Sequence, residues 1–163
     1  MKNLLVIVFT LLLSSSLMAA GSDSSSGSSS DKESLYEDAV KLVKRAGKLE
    51  KKDKIDKAKK LYSQAFNKLE KAYKSDKKNP DILNYMGFTS RKVGNFDQAE
   101  KFYLKGLNIK PNHNGINEYL GELYVQTDRI DKANERLEVL KSCNCKEYGE
   151  LELIIKTRGT KVY

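Results

Sequence analysis

Residues that usually carry out enzyme chemistry are scarce in this sequence. Its 163 residues include a single histidine, His113, and two cysteines, Cys143 and Cys145. The histidine lies in the short stretch 111–114 and is interpreted as a surface loop residue, not as a general base. Two thiolates alone make a poor zinc site, and neither a nucleophile motif nor a phosphate-binding loop is found. We therefore expect a protein that is not an enzyme and has no catalytic residue, metal site or cofactor.

Long apolar runs are also absent, with one exception near the start of the chain. Residues 1–3 form a short positive head, residues 4–13 are apolar except for Thr10, and small residues follow as far as Gly21. The apolar run is too short for an ordinary membrane span. The three parts together predict a secretory signal peptide over residues 1–20, and hence a periplasmic or secreted protein. An uncleaved membrane anchor is the alternative interpretation.

Arginine is scarce for a chain with a net charge of +8, because only 5 of its 30 basic residues are Arg. Lysine is a poor bidentate reader of phosphate. Together with the predicted export, this leads us to expect no nucleic-acid partner. The basic residues are densest between 41 and 60. Two interpretations of this segment remain open: a solvated, solubilising helix face, or a weak contact with an acidic membrane or protein surface through the Lys-rich first repeat.

The chain does contain an internal repeat of 34 residues. Gly87 and Gly121 are separated by this period, and so are Ala99 and Ala133. A fixed period of this size indicates an array of helical hairpins. Apolar residues at spacings of three and four predict the individual helices. Their approximate bounds are Glu33–Lys52, Asp56–Ser75, Pro80–Val93, Phe96–Leu107, Gly115–Gln126, Ile130–Lys141 and Lys146–Lys156.

A third copy of the turn occurs at residues 53–58, but it lies 41 residues before the central copy at 94–99. The seven extra residues predict two additional turns in the second helix. Seven residues shift the apolar stripe by only about 20° around a straight helix, so the packing face is kept.

The small residues of the repeat are expected to lie where two helices cross. Gly87 and Gly121 of the first helices should meet Ala99 and Ala133 of the second helices. The apolar residues directly after each turn should fill the space between the helices; these are Ile55, Phe96 and Ile130.

This pattern resembles the tetratricopeptide repeat (TPR) family over about residues 38–145. The family's small-residue pair, aromatic anchor and terminal proline are matched by Gly87, Ala99, Tyr103 and Pro111. The resemblance extends to small exported bacterial members of the family. It implies an all-α superhelix of about three TPR-like hairpins followed by a C-terminal capping helix.

The resulting domain organisation places a flexible Ser/Gly-rich linker between the signal peptide and the repeats. The predicted segments are the linker 21–31, the repeat domain 32–157 with repeats at about 38–79, 80–113 and 114–147, the capping helix 146–156, and a flexible tail 158–163.

The resemblance also implies a right-handed superhelix whose concave face, lined by the first helix of each pair, binds a peptide or protein partner. The candidate binding residues are Asn84, Tyr85, Phe88, Arg91, Glu118, Tyr119 and Glu122. Tyr85 and Tyr119 lie one period apart, so they are expected to stack along one groove. Alternatively, they belong to the core between repeats. The family's clamp for a C-terminal carboxylate is absent, because its positions hold Tyr85, Gly115 and Tyr119.

Cys143 and Cys145 are candidates for a disulfide, since two cysteines follow the last repeat in the small exported relatives. One intervening residue should place their α-carbons near the upper limit of disulfide geometry. A structural disulfide, a redox-active pair and free thiols all remain open. The function expected first is an exported interaction module. The alternatives are a structural component of an envelope assembly or a thiol/disulfide protein. The sequence does not indicate the oligomeric state.

Overall fold

The computed structural model describes residues 27–159, with side chains from residue 34 onward, and this part of the chain consists of helices joined by turns. The helices are α1 (Gly27–Glu50), α2 (Ile55–Ser75), α3 (Pro80–Lys92), α4 (Phe96–Ile109), α5 (Asn114–Gln126), α6 (Ile130–Leu140) and α7 (Lys146–Lys156). The all-α fold class is therefore confirmed. None of the described helices is both long enough and apolar enough to cross a membrane.

The start of α1 differs from the predicted linker, since residues 27–31 are already helical. The later turns of α1 are held by packing against α2. Extending an existing helix orders one residue for each hydrogen bond that is gained, so the helix can continue into the predicted linker. The predicted signal peptide, linker residues 21–26 and tail residues 160–163 lie outside the described part of the chain.

The helices pair as three consecutive hairpins. Helix α1 packs on α2, α3 on α4, and α5 on α6, while α2–α3 and α4–α5 contacts join one hairpin to the next. Helix α7 packs mainly on α5 and also on α6. Helix α2 has 21 residues against 14 in α4, so the structure contains the seven-residue extension.

Each hairpin turn contains one residue in the left-handed region. These residues are Asp53 (φ 54°), Gly94 (φ 93°) and Asp128 (φ 57°), and they follow the 41- and 34-residue spacings of the repeat. The next amide bonds back to a carbonyl five residues earlier, for example from Asn95 N to Ser90 O at 2.9 Å. This closure satisfies a carbonyl at the end of the first helix. It also places a glycine or aspartate where a positive φ is tolerated.

The start of α3 agrees with the predicted cap. Asn79 Oδ1 accepts hydrogen bonds from the backbone N–H groups of Asp81 (2.9 Å) and Ile82 (3.3 Å), and Pro80 is the first helical residue. An Asn cap satisfies amides that have no partner within the helix, while proline gives up no hydrogen bond there.

The glycines of the first helices lie directly against large side chains. A β-carbon at Gly87 would lie 2.6 Å from Tyr103 Cδ1, and one at Gly121 would lie 2.5 Å from Leu151 Cδ2. A tyrosine ring and a leucine side chain are therefore the nearest neighbours at these two positions, and the expected contacts with Ala99 and Ala133 stay a prediction. Gly106 does face the following repeat, since its β-carbon would meet Ile116 Cδ1 at 2.5 Å.

The expectation for residues after the turns was also wrong at two of three positions. Ile55 and Phe96 are 41% and 38% exposed, whereas Ile130 is partly buried. A helix's first residue lies at the hairpin tip, where the partner helix has already ended. The space between the helices is filled lower down by Tyr62 and Tyr103, which are almost completely buried.

The packing at Gly87 gives a test of this arrangement. We expect Gly87→Ala to lower the free energy of unfolding by up to about 2 kcal/mol, because overpacking costs about 1–3 kcal/mol and better helix propensity returns about 1 kcal/mol. Urea denaturation followed by far-UV circular dichroism measures the change.

Gly149→Ala is the matched control, since a β-carbon at Gly149 of α7 meets nothing within 4 Å. This change should raise the free energy of unfolding by up to about 1 kcal/mol. Equal shifts for both variants would show that the contact with Tyr103 is unimportant.

Candidate functional site

The seven predicted binding residues lie together on the side of the array formed by α1, α3 and α5. We call this surface the first-helix face. It contains two adjoining pockets, and Tyr119 lines both of them. The structure thus brings the predicted residues into one region, while their role in binding stays a prediction.

The aromatic pocket is the larger, with a volume of about 700 Å³. Its lining residues are Val43, Gly47, Glu50, Lys51, Tyr62, Phe88, Arg91, Lys92, Tyr119 and Glu122. They come from two hairpins and from α5, so the pocket forms only when the repeats stack. Gly47, in the middle of its α1 side, leaves space that a side chain would fill.

Three rings build the wall of the aromatic pocket. The Phe88 ring lies edge-on to Tyr62 at 5.8 Å and tilted against Tyr119 at 4.9 Å, measured between ring centroids. Arg91 lies over the Phe88 ring, with its guanidinium carbon 5.5 Å from the centroid. Contacts of these kinds fix the rings in place, and the half-buried rings of Phe88 and Tyr119 keep surface available for apolar contact.

Most charges in this pocket are compensated within it. Lys92 Nζ lies 2.8 Å from Glu50 Oε2, and the Tyr62 hydroxyl donates a 2.8 Å hydrogen bond to the same carboxylate oxygen. Arg91 Nη2 lies 2.6 Å from Glu122 Oε2. Among the cations that line the pocket, only Lys51 has no ion pair with a described residue.

The Arg91–Glu122 pair is buried, contrary to the expectation of two groove-exposed side chains. Their side chains are 4% and 7% exposed, and Arg91 Nη1 also donates to Gln126 Oε1 at 3.2 Å. Burial lowers the pKa of Arg91, the adjacent Glu122 carboxylate and Tyr103 together raise it, and the net shift is upward. The pair joins α3 to α5 beneath the pocket, so it supports the site from below.

The polar pocket has a volume of about 490 Å³ and lies toward the starts of α3, α5 and α7. Its lining residues are Tyr36, Asp81, Asn84, Tyr85, Lys110, Asn112, His113, Asn114, Gly115, Glu118, Tyr119, Lys146 and Glu147. Hydroxyl, amide and charged groups dominate the lining, which suits hydrogen bonding rather than apolar contact.

His113 was wrongly interpreted as a surface loop residue, because it is 9% exposed and forms the N-cap of α5. Its Nδ1 accepts a hydrogen bond from Ile116 N at 3.2 Å. A ring nitrogen that accepts carries no proton, so in the neutral ring Nε2 is the donor to Asp81 Oδ1, 3.0 Å away. The histidine therefore connects the starts of α3 and α5. The start of α3 is marked in the sequence by Asn79 and Pro80. The start of α5 has no such pair of residues, so nothing in the sequence indicated this cap.

Asn84 and Glu118 lie at the base of the polar pocket and are only 7% and 2% exposed. The Asn84 Oδ1 atom is buried and has no hydrogen-bond partner among the described residues. A buried acceptor without a donor is costly, so this atom is suited to a donor that enters the pocket.

Tyr85 and Tyr119 both line the polar pocket, but each ring packs against a different aromatic neighbour. Tyr85 lies edge-on to Tyr36, with ring centroids 5.7 Å apart, while Tyr119 contacts Phe88. Burial raises the pKa of both phenols, and the carboxylates of Glu118 and Glu122 raise that of Tyr119 further. Both hydroxyls therefore remain neutral near pH 7 and can donate or accept a hydrogen bond.

Cys143 and Cys145 form a disulfide in the turn between α6 and α7. Their α-carbons are 5.2 Å apart, well inside the usual range, so the expectation of a distance near the upper limit was wrong. Asn144 between them has φ 48°, a left-handed conformation that folds the chain back on itself. The disulfide lines neither pocket.

Within residues 34–159, no group of three or more His, Cys, Asp or Glu side chains has an arrangement that could hold a metal ion. The site as described offers apolar surface, hydrogen-bonding groups and compensated charge, which is the chemistry of a binding surface.

No protein-family model matches the chain, and no curated protein matches it. Several solved structures do match the chain. The type III secretion chaperone SycD of Yersinia enterocolitica, in complex with a peptide of the translocator YopD, is 16% identical with a TM-score of 0.52, over 73% of this chain and 87% of that chain. The first TPR of Spaghetti (RPAP3), bound to the HSP90 peptide SRMEEVD, is 20% identical over 73% and 91%, with a TM-score of 0.47. The Arabidopsis OM64 TPR domain is 16% identical over 76% and 98%, with a TM-score of 0.49.

The likeness to SycD, together with the hairpin order and the repeat spacing, shows the fold. The described chain has the architecture of a TPR-like superhelix of helical hairpins. At this level of identity the likeness shows the fold alone.

The buried ion pair leads to a prediction about stability. Glu122→Gln should lower the free energy of unfolding by about 3–5 kcal/mol, because it leaves the Arg91 charge buried without its carboxylate. Urea denaturation measures this loss. Combining Arg91→Met with Glu122→Leu should restore stability to within about 2 kcal/mol of the wild type, since an apolar pair can replace a buried ion pair.

The exposed Lys156–Glu152 pair, 3.0 Å apart, is the control. Glu152→Gln should change stability by less than about 0.5 kcal/mol. If Glu122→Gln has an effect as small as this control, the support given by the buried pair is refuted.

Proposed function

We propose that this protein is an exported interaction module that binds an extended segment of a partner protein along the first-helix face. The observation that carries the proposal is the pair of adjoining pockets, one aromatic and one polar, which share Tyr119. An extended segment presents side chains and backbone groups in alternation, so it can use both kinds of surface at once.

The aromatic pocket suits an apolar anchor side chain of the partner. The rings of Phe88 and Tyr119 supply apolar surface, and the ion pairs of Arg91 and Lys92 are already satisfied. A charged ligand would have to compete with these carboxylates, whereas an apolar side chain would not. Anchors buried in this way commonly supply most of the affinity of an interface.

The polar pocket suits the partner's backbone. Asn84 Oδ1 needs a donor, and a peptide N–H is the donor that every extended segment other than proline supplies. The neutral hydroxyls of Tyr85 and Tyr119 can accept or donate beside it. Bonds of this kind fix the direction of a segment without specifying its sequence.

Two further observations support the proposal. SycD, whose fold this chain shares, is seen in complex with a peptide of YopD. The N-terminal head, apolar run and small residues favour export, so we place the partner outside the cytoplasm. The disulfide lines neither pocket, and the binding proposal does not involve thiol chemistry.

Gly47 offers a way to block the aromatic pocket without removing any contact. A β-carbon at Gly47 meets only the Tyr62 hydroxyl, at 4.0 Å, so Gly47→Phe should fit into the pocket while improving helix propensity. Peptides selected by phage display against the wild-type chain should bind Gly47→Phe at least roughly tenfold more weakly, a loss of about 1.4 kcal/mol. Isothermal titration calorimetry measures the dissociation constants.

Two controls separate pocket filling from other effects. Gly47→Ala changes helix propensity with little filling, and Phe96→Ala removes an exposed ring that lines neither pocket. Both should bind the selected peptides like the wild type. The proposal fails if the library yields no binding peptide, or if the selected peptides bind Gly47→Phe as tightly as they bind the wild type.

A further inference from the structure

The net charge of the described chain is confined to the first hairpin. Residues 34–79 contain 15 Lys and Arg against 7 Asp and Glu, a net charge of +8. Residues 80–159 contain 12 of each, so the rest of the array is neutral. A general need for solubility would not require this separation, because mixed charges on every hairpin would meet it.

The basic side chains of this hairpin are exposed and mostly without carboxylate partners. Ten lie between residues 41 and 60, and every one of them is exposed; they are Lys41, Lys44, Arg45, Lys48, Lys51, Lys52, Lys54, Lys57, Lys59 and Lys60. Among the described residues, only Lys41 of these ten forms an ion pair, with Asp38 at 3.5 Å. Asp38 is shared with Lys68 as well, and these lysines lower its pKa. Glu50 is engaged by Lys92 of α3.

The basic stripe of α1 and the aromatic pocket occupy opposite sides of the same helix. Successive residues are about 100° apart around a helix. Within α1, Arg45 therefore points roughly opposite to Val43 and Gly47, which line the pocket, and Lys48 points away from them. A partner on the basic stripe would leave the first-helix face open.

We propose that the α1–α2 hairpin is a docking surface for a membrane that contains anionic phospholipids. The charge is complementary, and it comes from long, solvated lysine side chains that suit a diffuse layer of headgroups. Ile55 is 41% exposed and lies next to the lysine-rich turn 51–54, where it can contact the apolar edge of the headgroup region. Apart from Lys51, which also lines the aromatic pocket, this surface is distinct from the one proposed for peptide binding.

Nucleic acid and an acidic protein are less well matched to this surface. Base recognition uses exposed aromatic rings and arginine forks. The hairpin has one arginine among the ten residues, and Tyr62 is only 1% exposed. A protein partner would bury a defined patch around anchor side chains. Ile55 is the only large apolar residue of residues 34–79 that is clearly exposed.

Vesicle flotation with the full chain tests the proposal. The measured quantity is the ratio of the partition coefficient for vesicles with phosphatidylglycerol to that for pure phosphatidylcholine vesicles. Uptake through the apolar residues 4–13 would affect both vesicle types and cancel in this ratio. The wild type should prefer the anionic vesicles, and higher salt should reduce the preference.

Two variants with equal net charge make the test specific. Lys48→Gln, Lys52→Gln and Lys57→Gln together should lower the ratio roughly fivefold for each lysine replaced. Changing Lys101, Lys141 and Lys156 to Gln in the neutral part removes the same charge and should leave the ratio nearly unchanged. Circular dichroism verifies that both triple variants are folded. Ile55→Ser should lower partition into the anionic vesicles without changing its salt dependence.

Three results would overturn the proposal. One is equal partition into both kinds of vesicle. Another is an equal loss in the two triple variants, which would reflect net charge alone. The third is binding of duplex RNA or polyglutamate through the same lysines at least as tightly as the vesicles, which would assign the hairpin to another partner.

Discussion

The array depends on close approach between helices at positions where one partner has little or no side chain. Tyr103 can lie against α3 only because Gly87 has no β-carbon, and Leu151 of α7 uses the space above Gly121 in the same way. Glycine in a helix costs about 1 kcal/mol relative to alanine, so these positions give up local stability for tertiary packing. The close approach sets how the hairpins pack. It thereby sets the position of every side chain on the first-helix face.

That face combines a rigid base with an open surface. The ion pair between Arg91 and Glu122 and the cap formed by His113 are both buried, and each connects α3 with α5. Removing two charges from water is costly unless their geometry and hydrogen bonds compensate. The groups above them are rings and neutral hydroxyls. They gain a fixed position because the charged groups below cannot shift without losing their partners.

The sequence was sufficient to predict the helices and their order, because apolar spacing, turn residues and caps are local signals. Which side chains contact each other was harder to predict from the sequence. Gly121 meets Leu151, thirty residues further along the chain, and no local pattern indicates that contact. His113 resembled a loop residue because its role depends on Asp81, 32 residues earlier in the chain. Arg91 lies on the first-helix face, yet its burial follows from stacking of the repeats and not from its own helix.

The seven-residue extension of α2 has a consequence for how such arrays change length. An insertion of five residues would rotate the later part of a helix by roughly 140°, and its apolar stripe would then face solvent. Seven residues leave the stripe almost in register, which is why Leu69 and Ala72 beyond the usual length are still completely buried. A helix in such an array can thus be lengthened only by insertions, such as seven residues, that keep its apolar stripe in register. A repeat longer than 34 residues can therefore still pack the same face of its helix against its neighbours.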